Sequence, residues 1–182
     1  MATAAQIPTQ SPLSEYLRTS YEPDCEWIDG EIRERTAGEA SHAFIQTFFI
    51  KFFASREELW GIRVTQELRT QVSATHFRVP DVLVMRNDAP FEEIVKTPPL
   101  LSVEVLSPDD RMVDMQDKID DYLAMGVPAI WVVNPRSRKA FVVDRGALIP
   151  VQVLTVAGTE ISVSVDQIFA QLNALEGDSS RR

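Results

Sequence analysis

Two short segments of the chain are apolar at successive positions, and they constrain the fold more than any other feature. Residues 100–106 read LLSVEVL and residues 129–133 read AIWVV. A strand with apolar side chains on both faces is buried on both faces, so helices are expected to cover the sheet. Residues 113–125 lie between these segments and place apolar side chains on one helical side, namely Met115, Ile119, Tyr122 and Leu123. Gly126 is suited to end that helix, and the three segments predict one right-handed strand–helix–strand unit with parallel strands.

The other patterns along the chain alternate between helices and strands. Helical spacing or start signals mark three further segments, near residues 13–17, 39–55 and 166–175. Strand patterns mark hairpins around Asp29-Gly30 and Asp144-Arg145-Gly146, and strands within residues 61–72 and 76–85. This order predicts an α/β (α+β) fold with a mixed central β-sheet flanked by helices. We expect a single domain with two extensions: the domain at residues 13–176, a flexible arm at 1–12 and a polar tail at 177–182.

Composition limits where the protein works and what it binds. The chain has 182 residues, no apolar run near the roughly 18 residues of a membrane helix, and no signal-peptide pattern. Its single cysteine, Cys25, excludes an intrachain disulfide. We therefore expect a cytoplasmic protein without a membrane segment. The formal net charge of −9 opposes nucleic-acid binding, because proteins that neutralise phosphates usually carry a basic face.

Two acidic residues occupy positions at which the sequence pattern predicts apolar residues. Glu104 lies inside the apolar segment 100–106, and Asp81 follows Pro80 at a strand interruption, since proline cannot donate to a ladder. A buried carboxylate is costly unless it is paired, protonated or bound to a metal. Acids on neighbouring strands can converge on one Mg²⁺, which prefers oxygen ligands. Asp81 and Glu104 are therefore candidate ligands of Mg²⁺ or Mn²⁺.

Lys118 lies on the predicted helix after Glu104, at the border of the face that packs on the sheet. Its ammonium group is expected to reach the acids, where it would orient a water or offset charge on a phosphorus. The opposite side of the helix is expected to face solvent, with Asp117, Asp120 and Asp121. Each site residue also has an ordinary explanation: Asp81 would cap a turn, Glu104 would pair with an arginine such as Arg78, and Lys118 would extend into solvent. The residue pattern alone leaves both explanations open.

Several motifs occur in an order that resembles one known family. The segments are WIDGEI at 27–32, Ser41-His42, RVPDVLV at 78–84, VEVLSP at 103–108 and KIDDYLAMGVPAIWVVNP at 118–135. Over about residues 13–155 the chain resembles the Uma2 family of restriction endonucleases. The resemblance implies a restriction-endonuclease-like fold of the PD-(D/E)xK superfamily, Mg²⁺-dependent phosphodiester chemistry and frequent homodimers. It places Pro80 and Asp81 on the family's Pro-Asp motif and Glu104 on its second acid.

One position departs from the superfamily pattern. Leu106 stands two residues after the second acid, where that pattern has lysine. Members of the family commonly share this difference and carry a lysine on the following helix, which Lys118 matches. Glu31 lies beside the Asp-Gly turn at a family-like position, so the resemblance offers it as a third metal ligand, with a solvated hairpin residue as the alternative. Glu67 is a weaker candidate on the strand before the Pro-Asp motif.

Four further polar residues are candidates for contacting substrate. His42 and Gln46 lie on the apolar side of the predicted helix 39–55 and are expected to face the site. A satisfied histidine at the edge of the core is the alternative for His42. Arg78 precedes the Pro-Asp motif on the same strand. Arg111 follows the second acid closely enough to contact a phosphate, or else lies on the surface.

The sequence therefore predicts a Mg²⁺-dependent endonuclease that hydrolyses phosphodiester bonds of nucleic acid, with DNA as the expected substrate and a homodimer as the expected assembly. Asp81, Glu104 and Glu31 would hold the metal, and Lys118 would position water or stabilise charge. The alternative is a catalytically inactive nuclease-fold module that binds a partner or nucleic acid. The acidic charge and the missing lysine at position 106 favour that alternative. The orientation of Lys118 discriminates between the two.

Overall fold

The computed structural model describes residues 11–35 and 39–179 of the chain. Its helices are α1 (Leu13–Tyr16), α2 (Ala40–Ala54), α3 (Glu57–Trp60), α4 (Met112–Met125) and α5 (Val165–Ser179). Its strands are β1 (Glu26–Ile28), β2 (Glu31–Arg33), β3 (Ile62–Gln66), β4 (Thr70–Gln71), β5 (His76–Arg78), β6 (Val82–Arg86), β7 (Leu101–Val105), β8 (Ile130–Asn134), β9 (Lys139–Asp144), β10 (Ala147–Val151), β11 (Val153–Thr155) and β12 (Ser162–Ser164). No helix within the described ranges is long and apolar enough to cross a membrane.

The central sheet joins six strands of the described chain in the order β10-β9-β8-β7-β6-β3. Strands β7 and β8 run parallel, with Val103 opposite Trp131, and helix α4 connects them. The predicted strand–helix–strand unit is therefore present, with the expected parallel pairing. The other neighbours in this sheet pair antiparallel. The sheet is mixed, and the predicted fold class is confirmed.

Helices cover both faces of the central sheet. Trp131 of β8 packs in one core with Phe49 of α2 and Phe169 of α5. Val132, the next residue, points to the opposite face and packs with Ile119 of α4. Each large apolar side chain buried in this way stabilises the fold by about 1.5–3 kcal/mol. A residue on β7 therefore faces either α2 and α5 or α4, according to its position along the strand.

A second sheet has the order β2-β1-β5-β4. Its β1–β2 hairpin turns at Asp29 and Gly30, whose φ angles are 49° and 91°, as an Asp-Gly hairpin turn requires. Strand β1 pairs with β5 through Trp27 opposite Phe77, and the two rings meet edge to face with their centroids 6.0 Å apart. This contact fixes β1, and with it Glu26, against the strand that precedes the Pro-Asp motif.

Both ends of the described chain differ from the predicted boundaries. Ser11, predicted to lie in the flexible arm, donates its backbone N–H to the Gly30 carbonyl at 2.8 Å and accepts a hydrogen bond from the Trp27 indole. Helix α5 continues to Ser179, so the predicted polar tail begins as helix, because the preceding residues QLNALE favour that conformation. The remaining parts of the predicted arm and tail lie outside the described residues, at 1–10 and 180–182.

Candidate active site

Two antiparallel strands bring Asp81 and Glu104 side by side. Strand β6 begins directly after Asp81, and its first residue, Val82, lies opposite Val103, the neighbour of Glu104 on β7. The backbone N–H of Val105 donates to Oδ2 of Asp81 at 2.7 Å, which holds this carboxylate against β7. Both acids are buried, with 3% and 2% of their surface exposed. The structure thus places both predicted acids at one point of the sheet.

Glu104 points toward helix α4, where two side chains hold its carboxylate. Val103 and Val105 belong to the core on the α2 side, so the alternation of β7 turns Glu104 to the other face. The Tyr122 hydroxyl donates to Oε1 at 2.6 Å, and the Lys118 ammonium donates to Oε2 at 3.3 Å. Residues four apart on a helix share one face, so α4 presents both groups together. Lys118 therefore reaches the acid pair.

Lys118 lies between two buried carboxylates. Its Nζ is 3.1 Å from Oε1 of Glu26 and 3.3 Å from Oε2 of Glu104. Glu26, at the start of β1, also accepts hydrogen bonds from Nη1 of Arg78 at 2.9 Å and from the backbone N–H of Val79 at 3.3 Å. Only 17% of the Lys118 side chain is exposed. The ammonium group is consequently aimed at the acids rather than at solvent.

Asp81 has a separate set of polar neighbours. Nη2 of Arg35 lies 2.5 Å from Oδ1, and Nε2 of His42 lies 3.2 Å from Oδ2. Gln46, one turn after His42 on α2, donates to the backbone carbonyl of Asp81 at 3.0 Å. Arg35 also extends Nη1 to Oε1 of Glu67 at 3.2 Å. The two predicted residues of α2 therefore contact Asp81 itself and are suited to positioning it.

Burial and neighbouring charges shift the pKa values of the two acids in opposite directions. Burial raises the pKa of Glu104 to about 7, and the Asp81 carboxylate adds to that rise while Lys118 opposes it. Burial also acts to raise the pKa of Asp81, but His42, Lys118 and Arg35 together outweigh it and lower this pKa. Burial acts to lower the pKa of Lys118, but the surrounding carboxylates raise it overall, so the group stays an ammonium. Neighbouring acids with pKa values pushed apart are typical of functional sites.

These side chains line an open cleft of about 460 Å³. The acidic lining residues are Glu26, Glu34, Asp81, Glu104, Asp109, Asp110, Asp114 and Asp117. The arginine and lysine lining residues are Arg33, Arg35, Arg78, Arg111 and Lys118. Acidic side chains outnumber basic ones, so the cleft attracts cations more readily than an unaccompanied polyanion.

The donor chemistry of the cleft suits a hard divalent cation. The carboxylate oxygens of Asp81 and Glu104 are ligands of the kind that Mg²⁺ prefers, and a cation between them would relieve the repulsion that helps raise the Glu104 pKa. Within residues 11–35 and 39–179, no three or more His, Cys, Asp or Glu side chains are already grouped as a metal site. Arg35 and Lys118 supply the compensating positive charge in this arrangement.

Three of the predicted site residues lie apart from the acid pair, and for Glu31 and Arg111 the positions match the alternatives that the sequence left open. Arg78 lines the cleft but is buried in ion pairs with Glu26 at 2.9 Å and Asp121 at 2.6 Å, so its guanidinium supports the site from within. Asp121, expected on the solvated side of α4, belongs to this network instead. Glu31 follows the hairpin turn and does not line the cleft, because the hairpin presents Glu26 there. Arg111 precedes α4 on the cleft rim, with 74% of its side chain exposed.

The sequence reasoning missed Glu26, Arg35 and Tyr122. Glu26 begins a three-residue strand in which every residue is buried, which is the same kind of signal that marked Glu104. Tyr122 was assigned to the apolar side of α4, yet a buried tyrosine hydroxyl needs a hydrogen-bond partner, and that partner is Glu104. Arg35 follows β2 in a segment without periodicity, so no sequence signal identifies it.

The sequence model of the Uma2 family, described as "Putative restriction endonuclease", matches residues 13–173. The crystal structure of a "putative nuclease belonging to DUF820" from Anabaena variabilis ATCC 29413 superposes with a TM-score of 0.75 and 24% identity, over 88% of this chain and 98% of that one. A cryo-EM structure of a DrdV–DNA complex aligns with a TM-score of 0.39 and 17% identity, over 70% of this chain and 10% of that one. None of the curated proteins searched matches the chain.

The first two of these matches establish the family and the fold. The likeness to the Anabaena structure shows a shared fold across nearly the whole length of both chains. The matched range contains Asp81, Glu104 and Lys118. Because that match extends over residues 13–173, the protein belongs to the Uma2 family.

Proposed function

We propose that the protein is a Mg²⁺-dependent endonuclease that hydrolyses phosphodiester bonds of nucleic acid, with DNA as its substrate. One observation carries the proposal: Asp81, Glu104 and Lys118 meet at one cleft. Lys118 Nζ is 3.3 Å from Glu104, and the Asp81 carboxylate accepts from the backbone N–H that follows Glu104. Membership of a family whose model is described as "Putative restriction endonuclease" supports the same chemistry.

Asp81 and Glu104 would hold the metal ion, Mg²⁺ or Mn²⁺. Such an ion lowers the pKa of a bound water and polarises the phosphoryl oxygen. Oδ2 of Asp81 and Oε1 of Glu104 accept from a backbone N–H and from the buried Tyr122 hydroxyl, which are fixed donors. Oδ1 of Asp81 and Oε2 of Glu104 meet the side chains of Arg35 and Lys118, each of which has a second carboxylate partner, Glu67 and Glu26 respectively. These two oxygens are therefore the ones that Asp81 and Glu104 would offer to a metal ion.

Lys118 acts as a charged hydrogen-bond donor in this proposal, and its role is to orient the attacking water and to stabilise charge that develops on the phosphorus. Its raised pKa makes it unsuitable as a base at neutral pH. Glu26 keeps the ammonium group at the site when Glu104 turns to the metal, because it offers a second carboxylate at 3.1 Å. Arg78 and the Val79 N–H hold Glu26 from its buried side.

The surrounding residues have supporting roles in the proposal. His42 and Gln46 fix the side chain and the backbone of Asp81. Arg111, exposed on the rim of the cleft, contacts a substrate phosphate. Glu31 is left out of the metal site, since it does not line the cleft. A cytoplasmic homodimer completes the proposal, because cutting both strands of a duplex suits two sites.

Cleavage assays with the purified protein test this function. Supercoiled DNA, linear duplex, single-stranded DNA and RNA are incubated with Mg²⁺, Mn²⁺ or EDTA. We expect metal-dependent cleavage by the natural chain, and a loss of about 10²–10³-fold or more in rate for Asp81→Asn and for Lys118→Met. Glu58→Gln, on the exposed side of α3, is a control for the loss of one charge. Absence of cleavage on every substrate, together with unchanged Mn²⁺ binding by Asp81→Ala, would refute the proposal.

A catalytically inactive nuclease-fold module that binds a partner or nucleic acid is the second candidate. The net charge of −9 and the acidic excess in the cleft favour it over cleavage of a duplex, because such a surface repels nucleic acid, and they favour a partner of another class as its ligand. Fluorescence anisotropy separates the candidates. Binding of labelled DNA without cleavage, and with no change in Lys118→Met, would support the binding module.

A further inference from the structure

The carboxylate of Asp81 is already fully engaged by protein groups. Oδ2 accepts from the Val105 backbone at 2.7 Å and lies 3.2 Å from Nε2 of His42. Oδ1, which the proposed function assigns to the metal, is 2.5 Å from Nη2 of Arg35. A metal ion on that oxygen would lie close to the guanidinium, and the repulsion between the two cations is strong in a buried site. Binding of a metal ion to Oδ1 would therefore favour movement of Arg35 away from Asp81.

Arg35 has a second partner that it can keep when it leaves Asp81. Its Nη1 is 3.2 Å from Oε1 of Glu67, whose side chain is 46% exposed, compared with 4% for Asp81. The Glu67 backbone is anchored beside the Pro-Asp motif, since its N–H donates to the Pro80 carbonyl at 3.1 Å. Glu67 thus lies closer to solvent than Asp81, and the Arg35 guanidinium bridges the buried carboxylate of Asp81 and the more exposed carboxylate of Glu67.

We propose that Arg35 is the resident counter-ion of Asp81 in the metal-free protein, and that a divalent cation displaces it toward Glu67, where its guanidinium binds a substrate phosphate. This inference rests on the proposed function for the identity of the metal-binding oxygen. A planar guanidinium with several donors can keep one carboxylate and still contact a phosphate. Arg35 then has two successive roles: it shields a buried acid before the metal binds, and it holds the substrate afterwards.

The inference predicts the direction of a change in metal affinity. Arg35→Gln leaves Oδ1 of Asp81 without its ion-pair partner, and an uncompensated buried carboxylate is costly. A metal ion removes that cost and no longer has a competitor. We expect Arg35→Gln to bind Mn²⁺ at least about tenfold more tightly than the natural chain. Arg35→Lys keeps the positive charge but cannot contact Asp81 and Glu67 through two separate nitrogens. It should therefore tighten Mn²⁺ binding by a smaller factor than Arg35→Gln.

Isothermal titration of the full-length, metal-stripped protein with Mn²⁺ tests this expectation without relying on cleavage. The matched control is Arg33→Gln, which removes the same charge from the same cleft but has no ion pair or hydrogen bond with Asp81 among the described contacts. A tenfold gain in Arg35→Gln that exceeds the gain in Arg33→Gln supports displacement. If both variants gain Mn²⁺ affinity equally, only the overall charge of the cleft matters. If Arg35→Gln binds Mn²⁺ more weakly than the natural chain, Arg35 favours metal binding. Either result overturns the inference. If Arg35→Gln fails to fold, the same comparison is made with Arg35→Lys.

A second measurement tests the phosphate contact. A phosphorothioate DNA duplex that resists cleavage is titrated by fluorescence anisotropy, with and without Mn²⁺. Arg35→Gln should weaken DNA binding about tenfold with Mn²⁺ present and by less than about twofold without it. Equal weakening in both conditions would show that the contact is independent of the metal and would overturn this part of the inference.

The two measurements also separate this inference from the proposed function. If Mn²⁺ binding changes as expected but no nucleic acid is cleaved, the nuclease function fails and the role of Arg35 as counter-ion stands. If the natural chain cleaves DNA but Arg35→Gln leaves Mn²⁺ affinity unchanged, the inference alone fails. If neither the natural chain nor Arg35→Gln binds Mn²⁺, both are overturned.

Discussion

Tyr122→Phe removes one hydroxyl from the candidate active site and leaves its shape intact. The Tyr122 ring is fully buried, so phenylalanine fills the same space. The lost hydrogen bond, 2.6 Å to Oε1 of Glu104, goes to a charged acceptor, and such bonds contribute about 1.5–3 kcal/mol. At about 1.4 kcal/mol per pKa unit, the Glu104 pKa should change by about 1–2 units.

The direction of this change follows from the chemistry of the bond. Burial already raises the pKa of Glu104 to about 7, and the Tyr122 hydroxyl opposes that rise because it stabilises the ionised form. Its removal therefore raises the pKa further. A carboxylic acid must lose its proton to bind a metal, so Mn²⁺ affinity at pH 7 should fall by about 5- to 50-fold. The affinity should recover as the pH is raised.

Isothermal titration of Mn²⁺ at a series of pH values measures the shift. The midpoint of the pH dependence should move upward by about 1–2 units in Tyr122→Phe relative to the natural chain. Tyr21→Phe is the matched control, since that residue stacks on Tyr16 and does not line the cleft. An unchanged midpoint in Tyr122→Phe, in a folded protein, would refute the reasoning that Glu104 is the titrating metal ligand.

Three further outcomes are expected. Glu26→Gln and Lys118→Met should each slow cleavage by about 10²-fold or more. Because Glu26 acts by positioning Lys118, the double variant should be no slower than Lys118→Met alone. If the two single-variant losses in single-turnover rate add in free energy in the double variant, this reasoning is wrong. Arg78→Gln should destabilise the fold by about 1.5–3 kcal/mol in urea unfolding, because it removes charged hydrogen bonds to Glu26 and Asp121 while these acids keep Lys118 and His76 as partners; a cost below about 0.5 kcal/mol would contradict it. The pKa of His76 is raised: burial lowers it, but hydrogen bonds to Asp121 and to the hairpin turn outweigh that effect. The contribution of His76 to stability is therefore present in full below its unfolded-state pKa of about 6.5, and it is lost as the pH rises through its higher folded-state pKa. In thermal unfolding, His76→Gln should therefore lower stability most at low pH and least at high pH.

The residues that the sequence identified share one property: each is polar within an otherwise apolar pattern. Asp81 and Glu104 interrupt strand patterns, and Lys118 borders the apolar side of a clear helix. Local periodicity fixes the direction in which such side chains point. For these three residues, the pattern indicated the direction of each side chain, and the structure adds the distances between them.

The residues that the sequence missed depend on contacts between distant segments. Glu26 and Glu31 lie on one hairpin, and the choice between them depends on the pairing of β1 with β5, which joins Trp27 to Phe77. No local pattern contains that pairing. Asp121 has the spacing of a solvated helix residue, yet Arg78 from β5 reaches it at 2.6 Å.

Part of the acidic charge of the protein lies in the cleft. Buried Glu26, Asp81 and Glu104 are compensated by Arg35, Arg78 and Lys118, so the excess negative charge lies on the rim. A rim of this kind raises the local concentration of divalent cations and opposes a bare polyanion. Nucleic-acid binding should consequently depend on the presence of the metal ion more strongly than it does for a protein with a basic face.

The central claim is that Asp81 and Glu104 together hold a divalent cation. Anomalous diffraction from a crystal soaked in Mn²⁺ tests this claim most directly. A single strong peak is expected within about 2.0–2.6 Å of a carboxylate oxygen from each of the two acids, with Arg35 turned away from Asp81. Mn²⁺ located only at the rim acids, such as Asp109 and Asp114, with the Arg35–Asp81 pair still closed, would contradict the claim.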